Sequence, residues 1–199
     1  MIPASTADAK RARTAIPQTR VFVGLRIAPQ IATELAQLAA PLNEPPVRLV
    51  RPADIHLTLV PPWLEASLSD TIDKLRRVVS GFAAFRLIFQ HVGYGPDPNQ
   101  PRLLWADCAA GDEIAPLRDA LLEACGRTDA RPFQPHVTLA RIRTDGAAIA
   151  RKHPIDRALS LTQWIESVEL FETASPAGTG YRILVSVPLA KAVDAVPTR

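Results

Sequence analysis

Apolar and polar positions along this chain come in short runs that switch repeatedly between a period of two and a period near 3.6. RVFVGLRI (20–27) predicts a strand, and APQIATELAQLAAPL continues with Ile31, Leu35 and Leu38 at helical spacing until Pro41 and the Pro45-Pro46 pair stop it. VRLV (47–50) and DIHLTLV (54–60) predict short strands. SLSDTIDKLRRVVSGF then predicts an amphipathic helix capped by Ser67 or Ser69 and ended by Gly81. FRLIFQHVGY (85–94) predicts a strand, and the turn-rich GPDPNQPR (95–102) separates it from another strand, LLWADCA. DEIAPLRDALLEACG predicts a helix with acidic residues at its positive end and Gly126 after it. PHVTLARI (135–142), LTQWIESVELFE (161–172) and YRILVSVPL (181–189) predict three more strands, with a short helix GAAIARKH between the first two.

Strands interspersed with helices, with no G-x-G-x-x-G or G-x-x-x-x-G-K-[ST] loop, predict an α+β fold rather than a doubly wound nucleotide fold. Residues 1–19 and 190–199 carry no apolar periodicity and are expected to be flexible tails around one folded domain at 20–189.

Composition narrows this reading. The 199 residues are 47% hydrophobic and 22% charged, which excludes a wholly disordered, collagen-like or coiled-coil chain. Nineteen prolines predict short elements and many turns. A formal net charge of +3 suits an anionic substrate. Cys108 and Cys125 lack C-x-x-C spacing, so they read as core thiols rather than a disulfide framework or zinc ribbon. No apolar run approaches the ~18 residues of a membrane span, and the first 19 residues lack the apolar stretch of a signal peptide, so a cytoplasmic protein is expected.

The candidate chemistry lies in an internal repeat. His56-Leu57-Thr58-Leu59 and His136-Val137-Thr138-Leu139 are near-identical and stand 80 residues apart, so two halves of similar size each deliver one H-x-T-L to a shared cleft. On a strand, His and Thr share one face while the apolar residues share the other. A single H-x-T-L would read as a half-buried strand histidine satisfied by a nearby hydroxyl; two copies favour a common function. A metal pair is the competing reading, but such sites want three or four ligands, and no Asp, Glu or Cys stands at ligand spacing from either histidine. His91 and His153 lack the H-x-T context and read as surface or packing residues. Two imidazoles on one cleft suit phosphodiester chemistry, since an ordinary pKa near 6.5 lets one be neutral and the other protonated at pH 7. Each threonine hydroxyl can donate to a nonbridging phosphate oxygen.

These motifs resemble those of the two-histidine phosphoesterase superfamily, and the chain around them is similar to its RNA 2′,3′-cyclic phosphodiesterase branch, also called 2′,5′ RNA ligase-like. The likeness runs over about residues 20–189 and includes RVFVGL, RPADIHLTL, PRLLWAD, FQPHVTLAR and the VELFE…YRILVSVPL pair. It implies a bilobal α+β fold with pseudo-twofold duplicated antiparallel sheets, flanking helices and a central cleft. It also implies no cofactor or metal; separately, a monomer is expected. The implied reaction opens a terminal 2′,3′-cyclic phosphate of RNA, or of a small cyclic nucleotide, to a 2′-phosphomonoester, with reverse 2′,5′ ligation as a minor activity. His56 would be the proton donor to the leaving 3′ oxygen and His136 the acceptor from water.

Relatives usually continue the first motif as H-x-T-L-x-F-L-G, whereas here Val60 is followed by Pro61-Pro62-Trp63. Trp63 would either replace the missing base-stacking surface or pack internally. Arg141 completes the second motif as H-x-T-L-x-R and would neutralise phosphate. Strict alternation, however, puts Arg141 on the face opposite His136 and Thr138 unless the strand ends or bulges there. Phe133 is either a base-stacking or a core residue. Two alternatives stand beside this reading. One is a small-molecule cyclic phosphodiesterase or 2′,5′-linkage hydrolase of the same fold; the other is a noncatalytic RNA-end binder, against which the intact His and Thr pairs argue.

Overall fold

The computed structural model describes residues 18–173 and 180–191. In chain order the elements are β1 (Thr19–Arg26), α1 (Pro29–Ala39), β2 (Val47–Leu49), β3 (His56–Glu65), α2 (Leu68–Val79), β4 (Phe85–Gly95), β5 (Leu103–Ala109), α3 (Ile114–Ala124), β6 (His136–Ile142), α4 (Gly146–Lys152), β7 (Arg157–Ile165), β8 (Ser167–Thr173) and β9 (Tyr181–Pro188). Helix ends follow local chemistry. Pro29 opens α1 at the first turn, where its missing N–H costs nothing, and the Ser67 hydroxyl accepts the Asp70 N–H at 3.5 Å to start α2. Gly126, at φ 62°, turns the chain out of α3 while its N–H and that of Arg127 close on the Glu123 and Leu122 carbonyls.

The strands form one antiparallel sheet in the order β7-β4-β5-β6-β3-β1-β8-β9, with β2 added to the far end of β6. It divides into two four-stranded halves, β6-β5-β4-β7 and β3-β1-β8-β9, joined where β3 meets β6 at the Leu57–Val137 pair. The central units β1-α1-β3 and β5-α3-β6 correspond across that seam, which gives the expected α+β, two-half antiparallel architecture. Each central helix crosses the seam, α1 packing on β6 and α3 on β3. Leu57, Leu59, Val137 and Leu139 are fully buried on the helix side, in one core with Leu35, Leu75, Leu117 and Leu121. The H-x-T side chains therefore stand on the opposite face of the sheet.

Two strand predictions change. Residues 161–172 are not one strand: β7 ends at Ile165 in one half of the sheet and β8 begins at Ser167 in the other. The buried residues Ile165 and Val168 are three apart, so the alternation slips at Glu166, and an apolar run read at period two conceals that slip. The strand predicted at 54–60 starts at His56 and continues to Glu65 through Pro61-Pro62. Beyond the Leu57–Val137 pair, β6 no longer runs beside β3, and the prolines sit at a register shift against β1, so their missing N–H groups cost no ladder bond. Most of both predicted tails lies outside the described residues; within them, Thr19 already opens β1 and Ala190 bridges to Ala83. Cys108 is buried, Cys125 is half-buried, and both are free thiols. No helix among the described residues is long and apolar enough to cross a membrane.

Candidate active site

His56 opens β3 and His136 opens β6, and the Leu57–Val137 pair fixes how the two motifs meet. With the strands antiparallel about that pair, His56 falls beside Thr138 and His136 beside Thr58, all four on the helix-free face. Each half of the sheet thus sets its hydroxyl beside the other half's imidazole.

Both histidines are held in the same way. His56 Nδ1 lies 2.7 Å from the Asp54 carbonyl and His136 Nδ1 lies 2.8 Å from the Gln134 carbonyl, each two residues back along the chain. A carbonyl only accepts, so Nδ1 carries the hydrogen in each ring and Nε2 is the nitrogen available for proton transfer. The carbonyls are themselves anchored. Asp54 ends a 3₁₀ turn, and its buried carboxylate accepts from Arg51 Nε at 2.6 Å and from the Tyr181 N–H at 3.1 Å. The Gln134 side chain donates to Asp107 Oδ1 at 3.1 Å, and Asp107 is the β5 partner of His136.

Arg141 joins this face because β6 bulges. Trp105 pairs with Thr138 but Leu104 pairs with Ala140, so Leu139 is an extra residue on β6, and Leu103 then pairs with Arg141. Trp105 and Leu103 share a face of β5, hence Thr138 and Arg141 share a face of β6. The bulge supplies the condition that strict alternation lacked. An equivalent bulge occurs in β3, where Gly24 pairs with Thr58 and Val23 with Val60, so that Pro61 occupies the position matching Arg141. The guanidinium is accordingly carried by one half of the sheet only.

The charge of Arg141 reaches both rings. His56 is pushed down to about 4, first by burial and then by Arg141 and His136, against the pull of the Asp54 carbonyl. His136 is lowered as well, chiefly by burial, with Asp107 opposing and Arg141 adding. Both imidazoles are therefore neutral at pH 7 in the substrate-free site, whereas an ordinary pKa of 6.5 allowed one of them to be protonated.

The burial comes from an aromatic cluster that sequence reasoning missed. Around His56 lie Phe22, Tyr181 and Phe171, with ring centroids at 4.7, 4.8 and 5.5 Å; Trp105 stands 4.4 Å from His136. Phe22 and Trp105 sit in the unbroken apolar runs VFVGL and LLWA, where alternation gives no sign that they face the histidines. Gly24, between Phe22 and Arg26 on β1, admits the close approach of β3: a Cβ there would lie 2.5 Å from the Leu57 carbonyl oxygen. Glu169, the β8 partner of Gly24, is a buried carboxylate that accepts from the Arg26 N–H at 3.0 Å and from Ser167 at 2.5 Å, and burial raises its pKa.

Trp63, Phe133 and the two other histidines are held by contacts of their own. Trp63 is buried on the helix side and donates to Glu65 at 2.9 Å, a packing position. Phe133 is half-buried against the core, with the Arg118 guanidinium 4.6 Å over its ring. His91 bonds Asp156 at 2.5 Å, and His153 bonds Glu44 at 2.7 Å. Among the described residues no three or more His, Cys, Asp or Glu side chains are grouped to hold a metal ion.

A sequence profile of the 2′-5′ RNA ligase superfamily matches residues 27–175, three quarters of the chain and both H-x-T motifs. The chain belongs to this superfamily. An RNA 2′,3′-cyclic phosphodiesterase of Bacillus subtilis is 31% identical over 131 residues, covering 60% of this chain and 69% of that one. A protein of the same name from Archaeoglobus fulgidus is 25% identical over 139 residues, 66% of this chain and 77% of that one. Two solved structures share the superfamily member's fold. TT0787 of Thermus thermophilus has a TM-score of 0.71 at 21% identity, over 87% of this chain and 99% of its own. E. coli LigT complexed with 3′-AMP has a TM-score of 0.67 at 18% identity, over 88% of this chain and 100% of its own.

Proposed function

We propose that this superfamily member is a cytoplasmic phosphodiesterase that opens a 2′,3′-cyclic phosphate at an RNA 3′ end, leaving a 2′-phosphomonoester, without a metal. The observation that carries the reading is the paired site: two imidazoles with the same Nδ1 tether, each beside the other motif's threonine, and one guanidinium acting on both. The relatives named RNA 2′,3′-cyclic phosphodiesterase support the substrate class.

In this reading the cyclic phosphate binds at Arg141, Thr58 and Thr138, which donate to its nonbridging oxygens. Its negative charge raises the pKa of both imidazoles and lets His56 take up a proton. His136 Nε2 removes a proton from the attacking water as the new P–O bond forms. The P–O3′ bond breaks, and His56 Nε2–H gives its proton to the departing 3′ oxygen. The products are a 2′-phosphate and a free 3′ hydroxyl, with the two histidines left in exchanged protonation states that solvent resets. The 2′,5′ ligation follows the same ring-opening path with an RNA 5′ hydroxyl in the place of water: His136 takes its proton as the 5′ oxygen bonds to phosphorus, the P–O3′ bond breaks, His56 protonates the 3′ oxygen, and a 2′,5′ diester with a free 3′ hydroxyl results.

Incubating a 2′,3′-cyclic nucleotide with the protein in EDTA, followed by ³¹P NMR, tests the proposal. The expected product is the 2′-phosphate at an undiminished rate. Loss of turnover restored by one divalent metal, or a 3′-phosphate product, would overturn it.

A further inference from the structure

The face that carries the histidines also carries every large apolar side chain that is exposed among the described residues. Leu64 pairs with Arg20, and Ile183 pairs with Phe171, on the β3-β1-β8-β9 half. On the other half, Ile88 lies between Ala109 and Thr162, and Trp164 pairs with Arg86. The pairings fix the faces. His136 pairs with Asp107 and Asp107 with His91, which sets one row; Ala109–Ile88–Thr162 forms a second and Arg86–Trp164 a third. The extra residue Gln90 in β4 keeps His91 and Ile88 on the same side. Among the described residues no helix covers this side, since the buried apolar residues of α1, α2, α3 and α4 belong to the core on the other.

Trp164 is 55% exposed, and the Arg86 guanidinium lies 6.0 Å from its ring centroid. Trp63 and Trp105, in contrast, are 6% exposed. A solvent-facing indole beside an arginine offers a stacking surface and a positive charge together, the combination that holds successive bases of a single strand. Over the sheet surface, three strand spacings and four residue steps separate His136 from Trp164, roughly 20 Å at ~4.8 Å per strand and ~3.4 Å per residue. A stacked strand at ~3.4 Å per nucleotide covers that distance in about six nucleotides. The middle row, Ala109, Ile88 and Thr162, is small or neutral, while in the first row the Asp107 and Asp156 carboxylates are both drawn to His91.

We infer that the Arg86–Trp164 pair is a platform for single-stranded RNA upstream of the reacting 3′ end, so that the protein prefers oligonucleotide ends to mononucleotides. This rests on the function proposed above. It concerns binding of the strand rather than proton transfer, so the two can fail separately.

The test compares cyclic-phosphate-ended RNA of one, three, six and nine nucleotides, reading both kcat/KM and, by anisotropy, the affinity for unreactive 3′-phosphate-ended strands of the same lengths. Wild-type protein should bind the longer strands more tightly, with the gain complete by about six nucleotides. Trp164→Ala should lose roughly 5- to 160-fold in affinity for those strands, the span of about 1–3 kcal/mol for a base stacked on an aromatic ring. Its mononucleotide turnover should be unchanged, and Trp164→Phe should restore most of the loss. Arg86→Ala should lower the salt dependence of strand binding. Length-dependent, Trp164-dependent binding without turnover would uphold the platform and overturn the hydrolase reading. Wild-type affinity independent of length, or an equal loss for Trp164→Ala at every length, would overturn the platform, as would a Trp164→Ala effect confined to self-association.

Discussion

Replacing His56 with asparagine should flatten the acid sensitivity of folding. In the native protein burial among Phe22, Phe171 and Tyr181, with the charges of Arg141 and His136, lowers His56 to about 4. In the unfolded chain it returns to about 6.5. Between these values the unfolded state binds the extra proton, so stability rises with pH across the window and is lost as pH falls through it. Linkage gives a loss of about 2 kcal/mol on going from pH 7.5 to pH 5, approaching ~3 kcal/mol below pH 4. The asparagine would not titrate, and its side-chain amide can still donate to the Asp54 carbonyl. Urea unfolding of both proteins at pH 7.5, 6, 5 and 4.5 reads the difference directly. The wild-type curve should fall more steeply by about that amount, with His136 and the acidic groups contributing equally to both proteins. Parallel curves would refute the claim that His56 is buried neutral.

Four further outcomes follow from the same geometry. Arg141→Met should raise the pKa of both histidines only partly, because burial outranks Arg141 for each, and should raise KM for a cyclic phosphate; NMR titration and steady-state kinetics read the two effects. The kcat/KM profile, which reports the free enzyme, should peak on the acid side of pH 6.5, while the kcat profile should peak at higher pH because bound phosphate draws both imidazoles upward. Thr58→Val and Thr138→Val should each cost about 1.5–3 kcal/mol of transition-state binding, the value of a hydrogen bond to a charged group, seen as a fall in kcat/KM without loss of fold by circular dichroism. Gly24→Ala should destabilise by about 1–3 kcal/mol, since its Cβ would press on the Leu57 carbonyl at 2.5 Å, and thermal unfolding should show it.

The repeated H-x-T-L was enough to place four side chains, because a strand's period of two fixes their common face whatever the rest of the chain does. Its 80-residue spacing also implied two halves. What it could not carry were departures from that period. The Leu139 bulge that turns Arg141 toward the histidines, the slip at Glu166 that divides β7 from β8, and the passage of β3 through Pro61-Pro62 each depend on what the neighbouring strand offers, which lies far off in sequence. The aromatic cluster was hidden for another reason. Phe22 and Trp105 lie in strands apolar on both faces, so the composition that marks a buried strand conceals which aromatics point toward the histidines. The pKa values depend on that same packing, and an isolated histidine gives no sign of them.

The central claim is that His56 and His136 act together on one phosphate, and kcat/KM of the two single alanine variants and the double variant on a 2′,3′-cyclic phosphate substrate tests it most directly. Each single variant should lose ~10²- to 10⁴-fold, and the double variant should be little worse than either, because both groups serve one transition state. A single variant that keeps near wild-type kcat/KM, or losses that multiply in the double variant, would contradict it.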